Sequence, residues 1–174
     1  MNPTVAELDS MKPERASQLL ADCCGSTRWI SAMVARRPFG SIERLLAAAD
    51  DVWRSLGPDD WREAFSHHPR IGEQRGGAQQ SERGAVWAAG EQSGMSAAQE
   101  DTRNALASAN REYERRFGYI YIVCATGKSA DELLATATGR LRNDPDAELA
   151  VAAEEQRKIT RLRLEKLLGK GDSA

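Results

Sequence analysis

The chain has 174 residues, and its 24 basic and 26 acidic side chains give a formal net charge of −2. This length is enough for one domain with a buried core, and the balanced charge, with no strongly basic half, argues against nucleic acid as a partner. No apolar run reaches the roughly 18–20 residues of a membrane helix, and the first residues lack a signal-peptide pattern, so we expect a cytoplasmic protein with no membrane partner.

Helix-start and helix-stop signals predict four helices in the N-terminal part of the chain. Residues 1–10 carry few apolar anchors and are expected to be loosely ordered. Pro13 is typical of a first helical turn, and Ser26 and Ser41 are typical N-cap residues. Pro58 opens the fourth predicted helix.

The fourth helix delivers the only two histidines of the chain, His67 and His68. Pro69 fixes its own φ and disfavours the helical region for the residue before it, so the helix is predicted to end at the histidines. A histidine on such a turn can exchange protons near neutral pH, but a solvent-exposed surface pair has the same pattern. A metal site would need further ligands such as Glu73 or Glu91, because there is no third histidine.

The middle of the chain is predicted to contain a loop, a short apolar segment and a long helix. Gly72–Gly84 is rich in glycine and polar residues, which is typical of a loop, and Gly84–Met95 is largely apolar. Ser96-Ala97-Ala98-Gln99 matches a capping box that would open a helix ending at Gly118. Residues 119–125 look like a buried strand, but no partner strand is predicted, so we expect an extended, irregular, buried segment.

Two more helices are predicted towards the C-terminus. Ser129 and Glu132 have capping-box spacing, and Asp144-Pro145 opens a last helix that ends near Gly169. Helical periodicity therefore predicts an all-α fold. We expect residues 1–174 to form a single-domain bundle of about seven or eight helices with one irregular extended buried segment.

Several common site types receive no support from the sequence. The cysteines, Cys23, Cys24 and Cys124, include an adjacent pair and form no Cys-x-x-Cys motif, which indicates neither a disulfide framework nor a zinc site. Gly127-Lys128-Ser129 has the end of a phosphate loop, but Ile122 stands where the first glycine should be. The hydrolase and zinc-protease motifs Gly-x-Ser-x-Gly and His-Glu-x-x-His do not occur.

Three further polar side chains lie next to apolar residues. Glu91-Gln92 could bind a polar planar ligand through both acceptors and donors, although an ordinary exposed helix end has the same pattern. Arg163 follows Ile159 by four residues and Gln156 by seven, which places it on or beside the apolar stripe of the last helix. An arginine there is costly unless it meets an anion or its stem reaches the surface. The residues alone thus indicate a His–Glu–Gln–Arg set that could converge.

Four motifs occur in order along the chain: His68-Pro69-Arg70-Ile71-Gly72-Glu73, Glu91-Gln92, Phe117-Gly118-Tyr119-Ile120-Tyr121-Ile122-Val123-Cys124-Ala125 and Ile159-Thr160-Arg161-Leu162-Arg163-Leu164. Together they resemble the OHCU decarboxylase family, whose substrate is 2-oxo-4-hydroxy-4-carboxy-5-ureidoimidazoline (OHCU). The resemblance extends over nearly the whole chain.

The resemblance implies an all-helical homodimer that removes CO₂ from OHCU and yields (S)-allantoin during urate breakdown. It also implies a functional link to urate oxidase and hydroxyisourate hydrolase, which act before this step. No metal and no organic cofactor are expected, because the heterocycle itself can take up the electron pair that CO₂ leaves behind. The last residues, Asp172-Ser173-Ala174, are not a peroxisomal tripeptide, which fits a bacterial cytoplasm.

Carried over position by position, the resemblance makes His68 and Glu91 the catalytic residues, with His68 as the general acid–base. It places the substrate-binding residues at Pro69, Ala88, Glu91, Gln92, Tyr121, Ile122, Val123, Ala125 and Arg163. It gives His67 no role. Ala88 stands where many family members have serine, so a hydroxyl contact at that position is missing or supplied by the backbone.

Three other functions remain open at this point. A different cofactor-free lyase or hydrolase that acts on a hydantoin-like ring would use the same residues. A helical interaction module would scatter His68, Glu91 and Arg163 over its surface, and a two-histidine metal protein would hold a stoichiometric ion.

Overall fold

The structure is a computed structural model that describes residues 2–72, 81–95 and 98–170. All regular secondary structure in these residues is helical, which confirms the all-α prediction. The described residues form nine α-helices and one 3₁₀ helix, slightly more than predicted. These are α1 Val5–Ser10, α2 Pro13–Cys23, α3 Thr27–Ala35, α4 Ile42–Ser55, α5 Pro58–Ser66, α6 Glu82–Glu91, the 3₁₀ helix Ser93–Met95, α7 Glu100–Phe117, α8 Ala130–Arg140 and α9 Pro145–Leu167.

Most of the predicted helix starts are confirmed by their capping hydrogen bonds. The side chains of Ser26 and Ser41 each accept an N–H from the first turn of the helix that follows. Ser129 and Glu132 form a reciprocal capping box at the start of α8. Pro13 and Pro145 are the first residues of α2 and α9, where a missing N–H costs nothing.

Two predictions about the N-terminal and central segments are wrong. Residues 5–10 form α1 instead of a loose segment, because the side chains of Thr4 and Glu7 form a capping box. Helix α7 begins at Glu100 with Gln99 as its N-cap, and Gln99 makes no side-chain capping bond. The predicted box at Ser96-Ala97-Ala98-Gln99 therefore does not open this helix, and Ser96 and Ala97 lie outside the described residues.

The segment Gly84–Met95 belongs to α6 and the 3₁₀ helix. Ser81 caps α6, since its Oγ accepts the Gly84 N–H at 3.0 Å. The expected loop at Gly72–Gly84 therefore ends before Glu82, and its residues 73–80 lie outside the described residues. Helix α6 thus carries the polar pair Glu91-Gln92 at its C-terminal end.

The chain between α7 and α8 is irregular and buried, as predicted. Gly118, with φ +80°, ends α7 in the left-handed conformation that glycine adopts without strain. Residues 119–125 form no regular secondary structure. Four of them are at most 5 % exposed: Tyr121, Ile122, Val123 and Ala125.

The described chain divides into two compact units. Unit 1 contains residues from 1–64 and 157–174, and unit 2 contains residues from 65–156. The core of unit 1 includes the fully buried side chains of Leu20, Trp29 and Leu45, and the Trp29 indole N–H donates to the Ala49 carbonyl at 3.2 Å. None of the helices in the described ranges is long and apolar enough to cross a bilayer.

The core of unit 2 is built around α7, α8 and the irregular segment. Leu106 and Tyr113 of α7 pack with Leu133 and Ala137 of α8, and all four are fully buried. The ring of Tyr121 joins this core at 5.5 Å from the Tyr113 ring. The irregular segment is thus held against two helices, which places its backbone within the hydrophobic core of the unit.

Gly94 is expected to tolerate no side chain. A Cβ at this position would lie 2.3 Å from the backbone carbonyl oxygen of Lys128, whereas a Cβ at Gly139 would meet nothing within 4 Å. We expect Gly94→Ala to lower the free energy of unfolding by about 1–3 kcal/mol, a typical cost of overpacking, and Gly139→Ala to be neutral or stabilising by up to ~1 kcal/mol. Urea unfolding checks both; equal midpoints for the two variants would contradict the close packing at Gly94.

Candidate active site

His68 lies in the turn that follows α5. The helix ends at Ser66, and the His68 N–H still donates to the Phe65 carbonyl at 3.2 Å. Pro69 then prevents continuation of the helix, so the predicted end of the helix at the histidines is confirmed. The His68 side chain is half-buried.

The turn that carries His68 is held from three directions within unit 2. Asn110 Nδ2 donates to the Ile71 carbonyl at 3.0 Å. The Gly72 N–H donates to Gln92 Oε1, also at 3.0 Å. Arg70 makes a two-bond ion pair with Glu114, at 2.5 and 3.1 Å. Bidentate pairs of this kind fix geometry as well as charge, so the turn is held at three successive residues after Pro69.

The imidazole of His68 contacts a buried glutamine of α9. Nε2 of His68 lies 2.6 Å from Oε1 of Gln156, and Gln156 is fully buried. The amide oxygen can only accept a hydrogen bond, so this contact requires a proton on Nε2. The sequence placed Gln156 on the apolar stripe of the last helix but gave it no role.

Helix α6 contributes three of the predicted residues. Ala88 and Glu91 are buried, at 4 and 8 % exposure. Gln92 is the C-cap of the helix and uses its amide oxygen to hold Gly72. Its NH₂ group can donate to a ligand while the amide oxygen holds Gly72.

The irregular segment is fixed at both of its central carbonyl groups. The Ile122 carbonyl accepts from Arg140 Nη1 at 2.7 Å, and the Cys124 carbonyl accepts from Lys128 Nζ at 2.6 Å. The Tyr121 hydroxyl donates to the Leu133 carbonyl at 3.1 Å. These bonds set the direction in which the N–H groups of the segment point.

The N–H groups of the segment are used unequally. Cys124 N–H donates to Glu155 Oε2 at 2.7 Å. Among the described residues, no hydrogen bond uses the N–H of Ile122 or of Val123, although these residues are only 2 and 5 % exposed. Buried N–H groups are nearly always paired in folded proteins, so these two donors are suited to a carbonyl or carboxylate of a ligand.

Cys124 links the segment electrostatically to α6 and α9. Burial and then the Glu155 carboxylate raise the pKa of the Cys124 thiol, Lys128 lowers it, and Glu91 raises it. A thiol with a raised pKa carries little thiolate at neutral pH. Cys124 is therefore a poor nucleophile, and its backbone is what contributes to the site.

A buried polar network lies behind the segment. Glu148 is fully buried and accepts hydrogen bonds from Arg140 Nε at 2.7 Å, from Asn143 Nδ2 at 2.8 Å and from the Tyr113 hydroxyl. The Arg140 guanidinium also lies 4.9 Å from the centre of the Tyr121 ring. Burial and the bond to Glu148 raise the pKa of the Tyr113 hydroxyl, so it remains a donor.

Arg163 is the predicted residue that lies in the other unit. It is 4 % exposed, and its Nη1 donates to the Asp22 carbonyl at 3.4 Å. Within unit 1 its positive charge lowers the pKa of the Cys24 thiol, but burial dominates and raises that pKa to about 12. The structure thus brings His68, Pro69, Ala88, Glu91, Gln92 and the 121–125 segment together in unit 2, whereas the substrate-binding role of Arg163 stays a prediction.

Hydrogen bonds and one electrostatic interaction within unit 2 connect these segments. The His68 imidazole meets Gln156, and the neighbouring Glu155 holds the Cys124 N–H. The Glu91 carboxylate raises the pKa of the Cys124 thiol. The next residue, Gln92, holds the turn that carries His68. The described residues contain no group of three or more His, Cys, Asp or Glu side chains placed to hold a metal ion.

Comparison with known proteins gives a consistent result. The family model for OHCU decarboxylase matches residues 9–165. The uric acid degradation bifunctional protein TTL of Arabidopsis thaliana is 34 % identical over 145 residues, which are 83 % of this chain and 45 % of that protein. The 2-oxo-4-hydroxy-4-carboxy-5-ureidoimidazoline decarboxylase of Amia calva is 37 % identical over 59 residues, which are 34 % of each chain. The matched residues span less than half the length of each of these curated relatives.

Two solved structures share the fold. A crystal structure of OHCU decarboxylase in the presence of (S)-allantoin has a TM-score of 0.76 and 32 % identity, and the match covers 91 % of this chain and 99 % of that one. A crystal structure of (S)-allantoin synthase has a TM-score of 0.70 at 20 % identity, covering 95 % of this chain and 54 % of that one. Because the family model covers nearly the whole sequence, this chain belongs to the OHCU decarboxylase family.

Proposed function

We propose that this chain decarboxylates OHCU to (S)-allantoin, in the breakdown of urate. The observation that carries the proposal is the set of hydrogen bonds that connects His68 to Gln156, Cys124 to Glu155 and Gln92 to the turn of His68. The same unit contains two buried backbone donors, the N–H groups of Ile122 and Val123, and the buried acidic side chain of Glu91. A relative crystallised in the presence of (S)-allantoin and others named for uric acid degradation support the same reaction.

The substrate supplies its own electron sink. Carbon 4 of OHCU carries both the hydroxyl and the carboxylate, and its neighbour carbon 5 belongs to the C=N bond of the ring. When the bond to CO₂ breaks, its electron pair forms a C4=C5 double bond, and the C=N pair moves to nitrogen, which takes up a proton. The resulting enol becomes allantoin when carbon 5 gains a proton and the hydroxyl loses one. The protein must therefore orient the ring and control the proton transfer.

His68 is the proposed proton donor to carbon 5. It lies on a turn that is fastened to α6 and α7, so its approach to one face of a bound ring is fixed. Protonation on one face gives one enantiomer. A positioned acid–base group of this type typically contributes ~10²–10⁴-fold to the rate.

The binding roles follow from the donors and acceptors of unit 2. We propose that the N–H groups of Ile122 and Val123 bind a carbonyl or carboxylate oxygen of the substrate. Glu91 accepts hydrogen bonds from the ureido N–H groups, and the NH₂ group of Gln92 donates to the ureido oxygen. Pro69, Ala88, Tyr121 and Ala125 are proposed to contact the substrate beside these donors and acceptors.

The experiment that tests this function is a coupled assay followed by circular dichroism. Urate, urate oxidase and hydroxyisourate hydrolase generate OHCU, and the purified chain is then added. We expect optically active allantoin to form faster than in the mixture without the chain. Formation of allantoin at the spontaneous rate, with no dichroic signal above that of the control mixture, would refute the proposal.

We also propose that the chain is a cytoplasmic homodimer that acts directly after urate oxidase and hydroxyisourate hydrolase. The bifunctional uric acid degradation proteins among its relatives support the link to a shared pathway. Light scattering coupled to size-exclusion chromatography measures the mass in solution. A mass of one chain, 19.1 kDa, at micromolar concentration would contradict the dimer.

A further inference from the structure

Gln156 is a polar side chain in an apolar environment. Its side chain has no solvent exposure (0 %). The nearby residues Ala152, Ala153 and Ile159 of the same helix are also buried. Transfer of an amide without hydrogen-bond partners from water to cyclohexane costs roughly 4–8 kcal/mol. Its partner here is the His68 imidazole, at 2.6 Å from Oε1 to Nε2.

The short distance identifies the chemistry of the contact. N–H···O hydrogen bonds in proteins span about 2.7–3.2 Å between the heavy atoms. A separation of 2.6 Å fits an N–H of His68 that donates to the amide oxygen. Because an amide oxygen only accepts, the hydrogen of the neutral ring must lie on Nε2.

The helix that carries Gln156 also fixes the proposed binding segment. Glu155, the preceding residue, accepts the Cys124 N–H at 2.7 Å. One turn of α9 therefore holds the imidazole with one side chain and the segment with the next. A rigid element that holds both partners of a reaction keeps their relative geometry constant.

We propose that Gln156 is a positioning residue for His68: its amide oxygen accepts the Nε2 hydrogen, selects the Nε2–H tautomer of the neutral ring and fixes the orientation of the imidazole. The catalytic part of this inference rests on the proposed function. The tautomer part does not, because it concerns the ligand-free protein.

The tautomer can be measured directly by NMR. Long-range ¹H–¹⁵N correlation spectra distinguish protonated from unprotonated ring nitrogens, and the chain has only two histidines, so His67→Asn assigns the His68 signals. We expect neutral His68 to show a protonated Nε2 and an unprotonated Nδ1. In Gln156→Leu the two ring shifts should move towards the average of both tautomers. In Gln156→Glu, which keeps an acceptor, the Nε2–H tautomer should persist.

Kinetics separates positioning from a merely structural role. Losing one hydrogen bond to the acid–base group should lower kcat of Gln156→Leu by roughly tenfold, with KM within about twofold of the wild type. Gln156→Glu should retain kcat. The fall of kcat at alkaline pH should occur at higher pH than in the wild type, because a carboxylate favours the charged imidazolium. Gln18→Leu, at an exposed position of α2, is the matched control and should change neither quantity.

The outcomes are distinguishable. A wild-type spectrum with the proton on Nδ1, ring shifts unchanged in Gln156→Leu, or identical pH profiles for the wild type and Gln156→Glu would each overturn the role of Gln156. A wild-type chain that shows the expected tautomer but does not accelerate allantoin formation would instead overturn the proposed function and leave the positioning contact standing. If Gln156→Leu does not fold, the wild-type tautomer and Gln156→Glu still decide the question.

Discussion

His68→Asn is expected to lower kcat/KM for OHCU decarboxylation by about 10²–10⁴-fold while the protein stays folded. Asparagine keeps a polar side chain of similar reach but cannot give and take a proton near neutral pH. The half-buried position of His68 and its anchored turn make water a poor substitute donor. The coupled assay with circular dichroism measures both the rate and the enantiomeric excess, and the product of the variant should be close to racemic.

The matched control is His67→Asn, which removes the neighbouring imidazole. His67 is also half-buried, but the resemblance to the family gives it no role, so its loss should change kcat/KM less than threefold, or roughly 0.6 kcal/mol. Thermal unfolding of both variants excludes a general loss of structure. If His68→Asn turns over at the wild-type rate, or if His67→Asn is the inactive variant, the assignment of the proton donor is wrong.

Glu148→Gln is expected to destabilise the protein by about 3–5 kcal/mol, because it leaves the Arg140 guanidinium buried without its counter-charge. Arg140 is 7 % exposed and Glu148 fully buried, so water cannot replace the lost carboxylate. For a chain of this size the loss corresponds to a fall in the thermal midpoint of roughly 6–20 °C. Calorimetry or thermal circular dichroism measures it.

Two further variants show whether the buried, unpaired charge causes the loss of stability in Glu148→Gln. Glu154→Gln makes the same chemical change at an exposed position of α9 and should shift the free energy of unfolding by less than ~0.5 kcal/mol. The double variant Arg140→Met with Glu148→Leu removes both charges and should be more stable than Glu148→Gln alone, since apolar pairs often replace buried ion pairs without loss. A double variant less stable than Glu148→Gln would show that the hydrogen bonds of the network matter more than its charge balance.

The same network predicts a functional effect of Glu148→Gln at temperatures where the variant is folded. Arg140 fixes the Ile122 carbonyl and lies over the Tyr121 ring, so a displaced guanidinium changes the direction of the Ile122 and Val123 N–H groups. We expect KM for OHCU to rise more than kcat falls, because binding donors are misplaced while the proposed proton donor is not. A variant with reduced kcat and unchanged KM would contradict this.

The fold was predictable where the local chemistry is decisive. Ser26, Ser41 and Ser129 cap the helices that the sequence predicts, because a side-chain oxygen next to free N–H groups has few better partners. Residues 119–125 were correctly predicted to be irregular and buried because a strand without a partner cannot satisfy its backbone. The capping box at Thr4 and Glu7 has the expected spacing in the sequence, but residues 1–10 contain too few apolar side chains to indicate a helix by periodicity.

The positions of the site residues were less accessible. The roles of His68, Glu91 and Gln92 came from the resemblance to the family. Nothing in their spacing indicates that the Gln92 amide oxygen accepts the Gly72 N–H. Arg140 could have been found by the reasoning applied to Arg163, since it falls on the stripe of Leu133 and Ala137. Its partner could not, because pairing across helices depends on packing and not on sequence distance.

The division of the chain has a consequence for its synthesis on the ribosome. Unit 2 is one continuous stretch, residues 65–156, whereas unit 1 combines residues from both ends of the chain, and Asn2 Nδ2 donates to the Lys166 carbonyl at 3.3 Å. Elongation adds roughly 5–20 residues per second. The N-terminal helices therefore emerge several seconds before the C-terminal residues of unit 1 are synthesised. A nascent chain arrested beyond residue 156 is thus expected to contain every unit 2 element of the site. The apolar faces of α1–α4 still lack the end of α9 at this stage. We expect chaperone binding and aggregation to compete during this interval.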